Sequence, residues 1–232
     1  MSAFWDDSPE NGEPRARSDV VDLRYRIRGS TLPVDHAHAL AEAITAVLPW
    51  LGEDPGSGVV PIHGAASGNG WTRPDPRLGD VLHLPRRTRL AIRLPRSRSE
   101  AALALCGRTL LVCGASLAVG DADIRPLTPA PALFARHVAT APGESESNLV
   151  ERAAAALEAL GVPARKIVCG RAHHLTMPGE RIATRSMLVA SVPPAASLRL
   201  QELGIGELRR VGCGIFAPHK SVDAVRESAD EP

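Results

Sequence analysis

Residues 20–28, VVDLRYRIR, alternate strictly: Val21, Leu23, Tyr25 and Ile27 fall on one side, Asp22, Arg24, Arg26 and Arg28 on the other. That is the period of a half-buried strand, and its polar side is largely arginine. In the next stretch, LPVDHAHALAEAITAVLPWL, the period changes. Val34, Ala37, Leu40, Ala41, Ile44 and Leu48 recur at helical spacing, with Pro33 read as an early-helix residue whose missing N–H is no loss there. Segments 58–65 and 79–94 read as strands, the second through the alternation in RLAIRL, and the glycine-rich GAASGNG between them reads as a loop. SRSEAALALC (97–106) fits a short helix, and TLLVCG and the stretch 115–125 return to strand.

A proline-rich junction, RPLTPAPAL at 125–133, has linker composition. After it the same order recurs: strand 133–140, helix 147–160, strands 165–175 and 181–192 around the turn Pro178-Gly179, helix 195–203 and strand 212–217. Each half is a βαββαβ unit. The expected fold is therefore α+β, two tandem ferredoxin-like (RRM-like) domains with antiparallel sheets and helices on one face of each. The expected divisions are a disordered leader at 1–18, domains at 19–127 and 128–220, and an acidic tail at 221–232.

The 232 residues, 44% hydrophobic and 23% charged, suit a folded chain rather than a disordered or fibrous one. No apolar run reaches the length of a membrane helix, and the polar, acidic N-terminus is unlike a signal peptide, so a cytoplasmic protein with no membrane partner is expected. Cys106, Cys113, Cys169 and Cys213 form no C-x-x-C pair and read as small buried hydrophobes. The formal net charge of +1 conceals a division. Residues 1–19 and 223–232 are acidic, whereas residues 20–222 hold 24 basic against 17 acidic side chains, a net of +7. An anionic partner suits that body. Of the 27 basic residues only Lys166 and Lys220 are lysine. Arginine forks match phosphates bidentately, although GC-rich coding also raises arginine.

The strongest local signal is Gly204-Ile-Gly206, five residues containing Arg209 and Arg210, then Gly212-Cys-Gly214. It is no dinucleotide fingerprint, because Arg209 stands where a third glycine is needed and the loop follows a helix rather than a strand. A loop with few side chains lets backbone amides and two guanidinium groups approach a polyanion.

This G-h-G-x5-G-h-G pattern with a basic spacer resembles the C-terminal signature of the repeat-associated (RAMP) superfamily of CRISPR proteins. With GCGIF and the N-terminal TLPVDHAHAL, the chain is similar to the myxobacterial-type CRISPR-associated endoribonuclease that processes precursor CRISPR RNA. The resemblance spans about residues 20–220 and is specific at the two terminal motifs. It implies metal-independent cleavage within the repeat, with 2′-hydroxyl attack giving a 2′,3′-cyclic phosphate and a 5′-hydroxyl. It also implies no cofactor, a stem-loop of CRISPR repeat RNA as partner, and delivery of the product to other CRISPR effector subunits.

Such a reaction needs a base, an acid and cations. His36 is the first candidate base, because the positive end of a helix disfavours imidazolium and attracts phosphate. His38 is the runner-up, and His63 in VVPIHGA is a candidate acid or phosphate donor. Gly204, Gly206, Gly212, Gly214, Arg209 and Arg210 are expected to hold the RNA backbone. The hairpin bearing Lys166, Arg171, Arg181 and Arg185 resembles the family's RNA-groove hairpin. The arginines of 86–98 fit a solvated face equally well. One tyrosine, three phenylalanines and three tryptophans leave few stacking platforms, which favours stem and phosphate recognition. Metal binding through His36-x-His38 or His173-His174 lacks the carboxylates and spacing of a site. Two other readings remain open, a non-catalytic RNA-binding subunit of an effector complex and a ferredoxin-like small-molecule or metal-binding protein.

Overall fold

The computed structural model describes residues 18–54, 56–63 and 81–219. The first half runs β1 (Val20–Arg28), β2 (Thr31–Pro33), α1 (Ala37–Thr45), β3 (Gly58–Val60), β4 (Val81–His83), β5 (Arg89–Pro95), α2 (Ser99–Ala102), β6 (Thr109–Val112) and β7 (Ala115–Pro126). The second runs β8 (Ala132–Ala139), α3 (Glu146–Ala159), β9 (Lys166–Met177), β10 (Glu180–Ala190), α4 (Pro194–Leu203) and β11 (Phe216–Pro218). The sheets are ordered β3-β5-β1-β7-β6 and β11-β8-β10-β9, all antiparallel. With β6 set aside as an added edge, both have the order 4-1-3-2 of a βαββαβ unit, so the two tandem ferredoxin-like folds are present. Among the described residues no helix is long and apolar enough to cross a membrane.

The alternation of β1 does what its sequence says. Val21, Leu23, Tyr25 and Ile27 are buried with Leu40 and Ile44 of α1 and Leu90, Ile92 and Leu94 of β5, each large side chain gaining about 1.5–3 kcal/mol from leaving water. The Tyr25 hydroxyl donates to the Ala102 carbonyl at 2.8 Å, tying the strand to α2. A second core joins Leu133, Ala135, Met187 and Val189 to Leu149, Ala153 and Leu157 of α3 and Leu200 of α4. A third, smaller cluster crosses between the halves: Ala37 and Ala41 of α1 meet Leu175, Val211 and Cys213. Two alanines four residues apart let α1 come close to β9 and the glycine loop.

Several boundaries differ from expectation. Pro33 ends β2, which pairs with β4 through Leu32 and Leu82, and α1 starts at Ala37. A three-residue pairing fifty positions apart leaves no local signal. In the segment 58–65, described through residue 63, the strand β3 ends at Val60, since Pro61 has no N–H to give a ladder. The described part of the segment 79–94, from Val81, divides into β4 and β5 around a turn closed by Thr88 N–H to the Pro85 carbonyl. The helix at 97–106 is one α turn between 3-10 turns at Arg96–Arg98 and Leu103–Leu105. The last strand starts at Phe216, because Gly212 and Gly214 take positive φ in a turn. Cys113 is exposed in the β6–β7 turn rather than buried. The leader through residue 17, the GAASGNG loop and the acidic tail lie outside the described residues.

Candidate active site

His36 is the N-cap residue of α1 rather than part of its first turn. Its Nδ1 lies 2.8 Å from the Pro33 carbonyl and 3.1 Å from that of Val34. Both partners are acceptors, so Nδ1 carries the ring proton and Nε2 holds a lone pair. That Nε2 is buried and has no hydrogen-bond partner, in a residue only 2% exposed. Burial lowers the imidazole's pKa below 6.5, outweighing the two carbonyls and Asp35. The ring is therefore a neutral proton acceptor at neutral pH. The Asp35 carboxylate, one residue earlier, accepts from the Thr176 backbone N–H at 3.1 and 3.2 Å, joining this turn to β9.

Opposite α1, the second sheet has a bulge on each side of β10. Arg185 pairs with Val138 and Met187 with Ala135 on one side, and Arg185 with Ala172 and Met187 with Cys169 on the other. Two residues of each flanking strand thus oppose Ser186, which re-aims side chains that an even ladder would send to opposite faces. Through the β8 bulge Arg136 donates from Nε to His63 Nε2 at 3.3 Å, while His137 places Nδ1 3.0 Å from Thr184 Oγ1. His173, the cross-strand neighbour of Thr184, packs edge-on to His137 with ring centroids 5.4 Å apart. Crowding by the protein, then the charge of Arg136, then His137 and His36 lower the pKa of His63, although its side chain is exposed. Burial, then His173, Arg136 and His36 do the same to His137. Histidines from the α1 cap, the segment after β3, β8 and β9 therefore lie near one another, with Arg136 beside them.

The structure thus brings His36 and His63 together and leaves His38 out. Two positions along a helix turn a side chain about 200°, and His38 takes part in none of these interactions. His137 and His173 are not among the histidines that the sequence singles out for catalysis. They stand far apart in the chain, and the available signal was the phase shift of apolar positions in ALFARHVA from Leu133 and Ala135 to Val138, the mark of a bulge. Neighbouring His173 and His174 point to opposite faces of β9, so they do not chelate one metal ion together.

The glycine loop has a different job from the one expected. Five amides at its two glycine pairs are spent inside the protein: Gly204 on Leu200, Ile205 on Gly214, Gly212 on Arg209, Cys213 on Leu208, and Gly214 on the His137 carbonyl at 2.7 Å. A side chain at Gly204 would collide with the Gly214 carbonyl, one at Gly214 with that of Ile205, and one at Gly212 with the Pro61 ring. Only Gly206 faces open space. Arg209 is not an RNA-facing cation either. It is 7% exposed and donates through Nη2 to the carbonyls of Gly56 (3.3 Å) and Glu202 (2.9 Å), with burial and Arg93 lowering its pKa to about 10. Arg210 stays half-buried. The loop is a close-packed wedge behind the histidines, joined to the β8 bulge and to β3.

Arg93 joins the same seam from the other side. Its guanidinium is 1% exposed, forks onto Asp22 at 2.8 and 3.0 Å, and donates through Nη1 to the carbonyls of Gln201 and Phe216. On the β9–β10 hairpin, Lys166, Arg171 and Arg181 are exposed, whereas Arg185 is held by Glu146 (3.0 Å) and the Gly170 carbonyl (3.2 Å). Lys166 opens the 12-residue strand β9, about 36 Å from the hairpin turn. The four cations therefore do not form one patch.

The model of the Cas6 CRISPR family matches residues 21–221. The chain belongs to the Cas6 family. The CRISPR-associated endonuclease Cas6 of Myxococcus xanthus (strain DK1622) is 34% identical over 198 residues, covering 85% of this chain and 81% of that protein. Among solved structures, a CRISPR-associated protein Cas6 superposes with TM-score 0.57 at 13% identity, over 87% of this chain and all of the other. A Cas6-related protein from Pyrococcus furiosus gives 0.55 at 13% identity, over 87% and 99%. These structures share the tandem fold. As a Cas6 protein the chain is an endoribonuclease of a CRISPR system.

Proposed function

We propose that this Cas6 protein binds the repeat of a precursor CRISPR transcript and cuts it beside a stem by metal-independent transesterification. The single observation that carries the chemistry is the His36 imidazole, with Nδ1–H fixed on two carbonyls and a buried Nε2 lone pair that has no hydrogen-bond partner. The nucleophile is the RNA's own 2′-hydroxyl. His36 Nε2 takes its proton, the 2′-oxygen attacks phosphorus, and the P–O5′ bond breaks in line. The upstream fragment ends in a 2′,3′-cyclic phosphate and the downstream one begins with a 5′-hydroxyl. Arg136 beside His63 supplies positive charge where the pentacoordinate phosphate would sit. Exposed Lys166, Arg171 and Arg181, with half-buried Arg210, offer backbone contacts along the second half, so binding weakens steeply with salt. A chain poor in aromatic residues suits a stem better than stacked single strands. The guide RNA it releases is consumed by a CRISPR effector complex, in the cytoplasm with the transcript.

The test is incubation of the protein with RNA of its own repeat in excess EDTA. The expected result is one cut beside the stem, with a cyclic phosphate on the upstream product. Tight binding without cleavage would make the protein a binding subunit, and cleavage that requires added magnesium would refute the chemistry.

A further inference from the structure

The reaction above has a base but no assigned acid for the departing 5′-oxygen, an alkoxide that leaves slowly without a proton. His63 is poorly suited. Its Nε2 accepts from the Arg136 guanidinium, which leaves the ring proton on Nδ1 and sets a fixed positive charge against imidazolium. His137 is held differently. The β8 bulge turns it onto the face of Thr184 and His173, its backbone carbonyl is fixed by Gly214, and its ring is pinned between the Thr184 hydroxyl and the His173 ring edge. In the neutral ring the Thr184 hydroxyl can donate to Nδ1, and in the imidazolium it accepts from Nδ1–H; in both forms Nε2 carries a proton. The groups that face this ring are His173 from β9, Thr184 from β10, His36 from the α1 cap and Arg136 next to it in the bulge.

Resting on the endoribonuclease reading, we propose that His137 is the general acid of the reaction and that Thr184 is its positioning residue. The step balances. His36 Nε2 accepts the 2′-hydroxyl proton as the 2′-O–P bond forms, and His137, charged as imidazolium, gives its Nε2 proton to O5′ as the P–O5′ bond breaks, ending as the neutral ring. Afterwards His36 is protonated and His137 is not, and exchange with water restores both. In the RNA-free protein, burial and neighbouring cations hold His137 neutral. A phosphodiester entering the site brings a negative charge to the same ring, and that favours the imidazolium an acid must be.

The test uses two versions of the repeat RNA, one ordinary and one with sulfur in place of the 5′-bridging oxygen at the cut. A thiolate leaves without a proton, so an acid is superfluous on the sulfur RNA. At saturating protein, His137→Asn is expected to cut ordinary RNA about 100-fold more slowly than wild type and sulfur RNA within a few-fold of it. Thr184→Val should show a loss of about tenfold on ordinary RNA with the same rescue, and it leaves the histidine in place. His36→Ala should stay slow on both. Slowing of His137→Asn and Thr184→Val by equal factors on the two RNAs, or no slowing, would overturn the assignment. Failure of wild type to cut either RNA would instead overturn the endoribonuclease reading itself.

Discussion

His36→Ala is expected to cut its repeat RNA at least 1,000-fold more slowly than wild type in a single turnover, toward the upper end of what a lost general base costs. The loss must be chemical. His36 also ties down the turn before α1 through its Nδ1 contacts with the Pro33 and Val34 carbonyls, so removing the ring disturbs the helix entry as well. His36→Asn separates these roles. Its amide N–H can still reach those carbonyls, but no basic lone pair remains, and it should be as slow as His36→Ala while unfolding like wild type. The pH profile gives a second check with a definite sign. A base works only when neutral, and burial sets the His36 pKa below 6.5. The rate therefore falls only as pH drops through that lowered pKa, on the acid side of an ordinary imidazole, and that acid limb should be absent from whatever activity His36→Asn retains.

Arg93→Met should lower stability by about 3 kcal/mol, the lower end of the cost of breaking a buried ion pair, because Asp22 keeps 23% exposure. In a domain pair of this size that is roughly 10 °C in Tm. The substitution strands the Asp22 carboxylate and removes the donor from the Gln201 and Phe216 carbonyls, which flank the glycine wedge. Asp22→Leu combined with Arg93→Met should be more stable than Arg93→Met alone, since the stranded charge is gone. Urea unfolding of the two singles and the double reads this directly. A double no more stable than Arg93→Met would place the cost in the two carbonyls. An Arg93→Met protein as stable as wild type would show that the seam does not depend on this residue.

The fold was legible wherever one strand or helix carries its own periodicity. β1 and α1 announce themselves because one face of each is buried along its length. β2 and β4 do not, because their pairing depends on a partner fifty residues away. The site was half legible. His36 could be found because a helix entry is a local event with a known field, and the family likeness of TLPVDHAHAL pointed the same way. The glycine motif was recognised, but its work was misread. From sequence, glycines around two arginines look like an open phosphate cradle. In space, Gly204, Gly212 and Gly214 leave room for backbone and the Pro61 ring, and Arg209 turns inward to two carbonyls. The partners that decide this belong to the other half of the chain or the far side of the loop. His137 and His173 were hidden for the same reason, since only the paired bulges beside Ser186 bring them to His36.

The measurement that bears most directly on the central claim replaces the single nucleotide upstream of the cut with its 2′-deoxy form. The chemistry assigned to the histidine cluster takes its nucleophile from that hydroxyl and nowhere else. Wild type should bind the deoxy RNA with unchanged affinity and fail to cut it, while cutting the ordinary RNA in the same EDTA-containing buffer. Cleavage of the deoxy RNA at a comparable rate would mean that water attacks the phosphate, and the account of His36 as the base for the 2′-hydroxyl would be wrong.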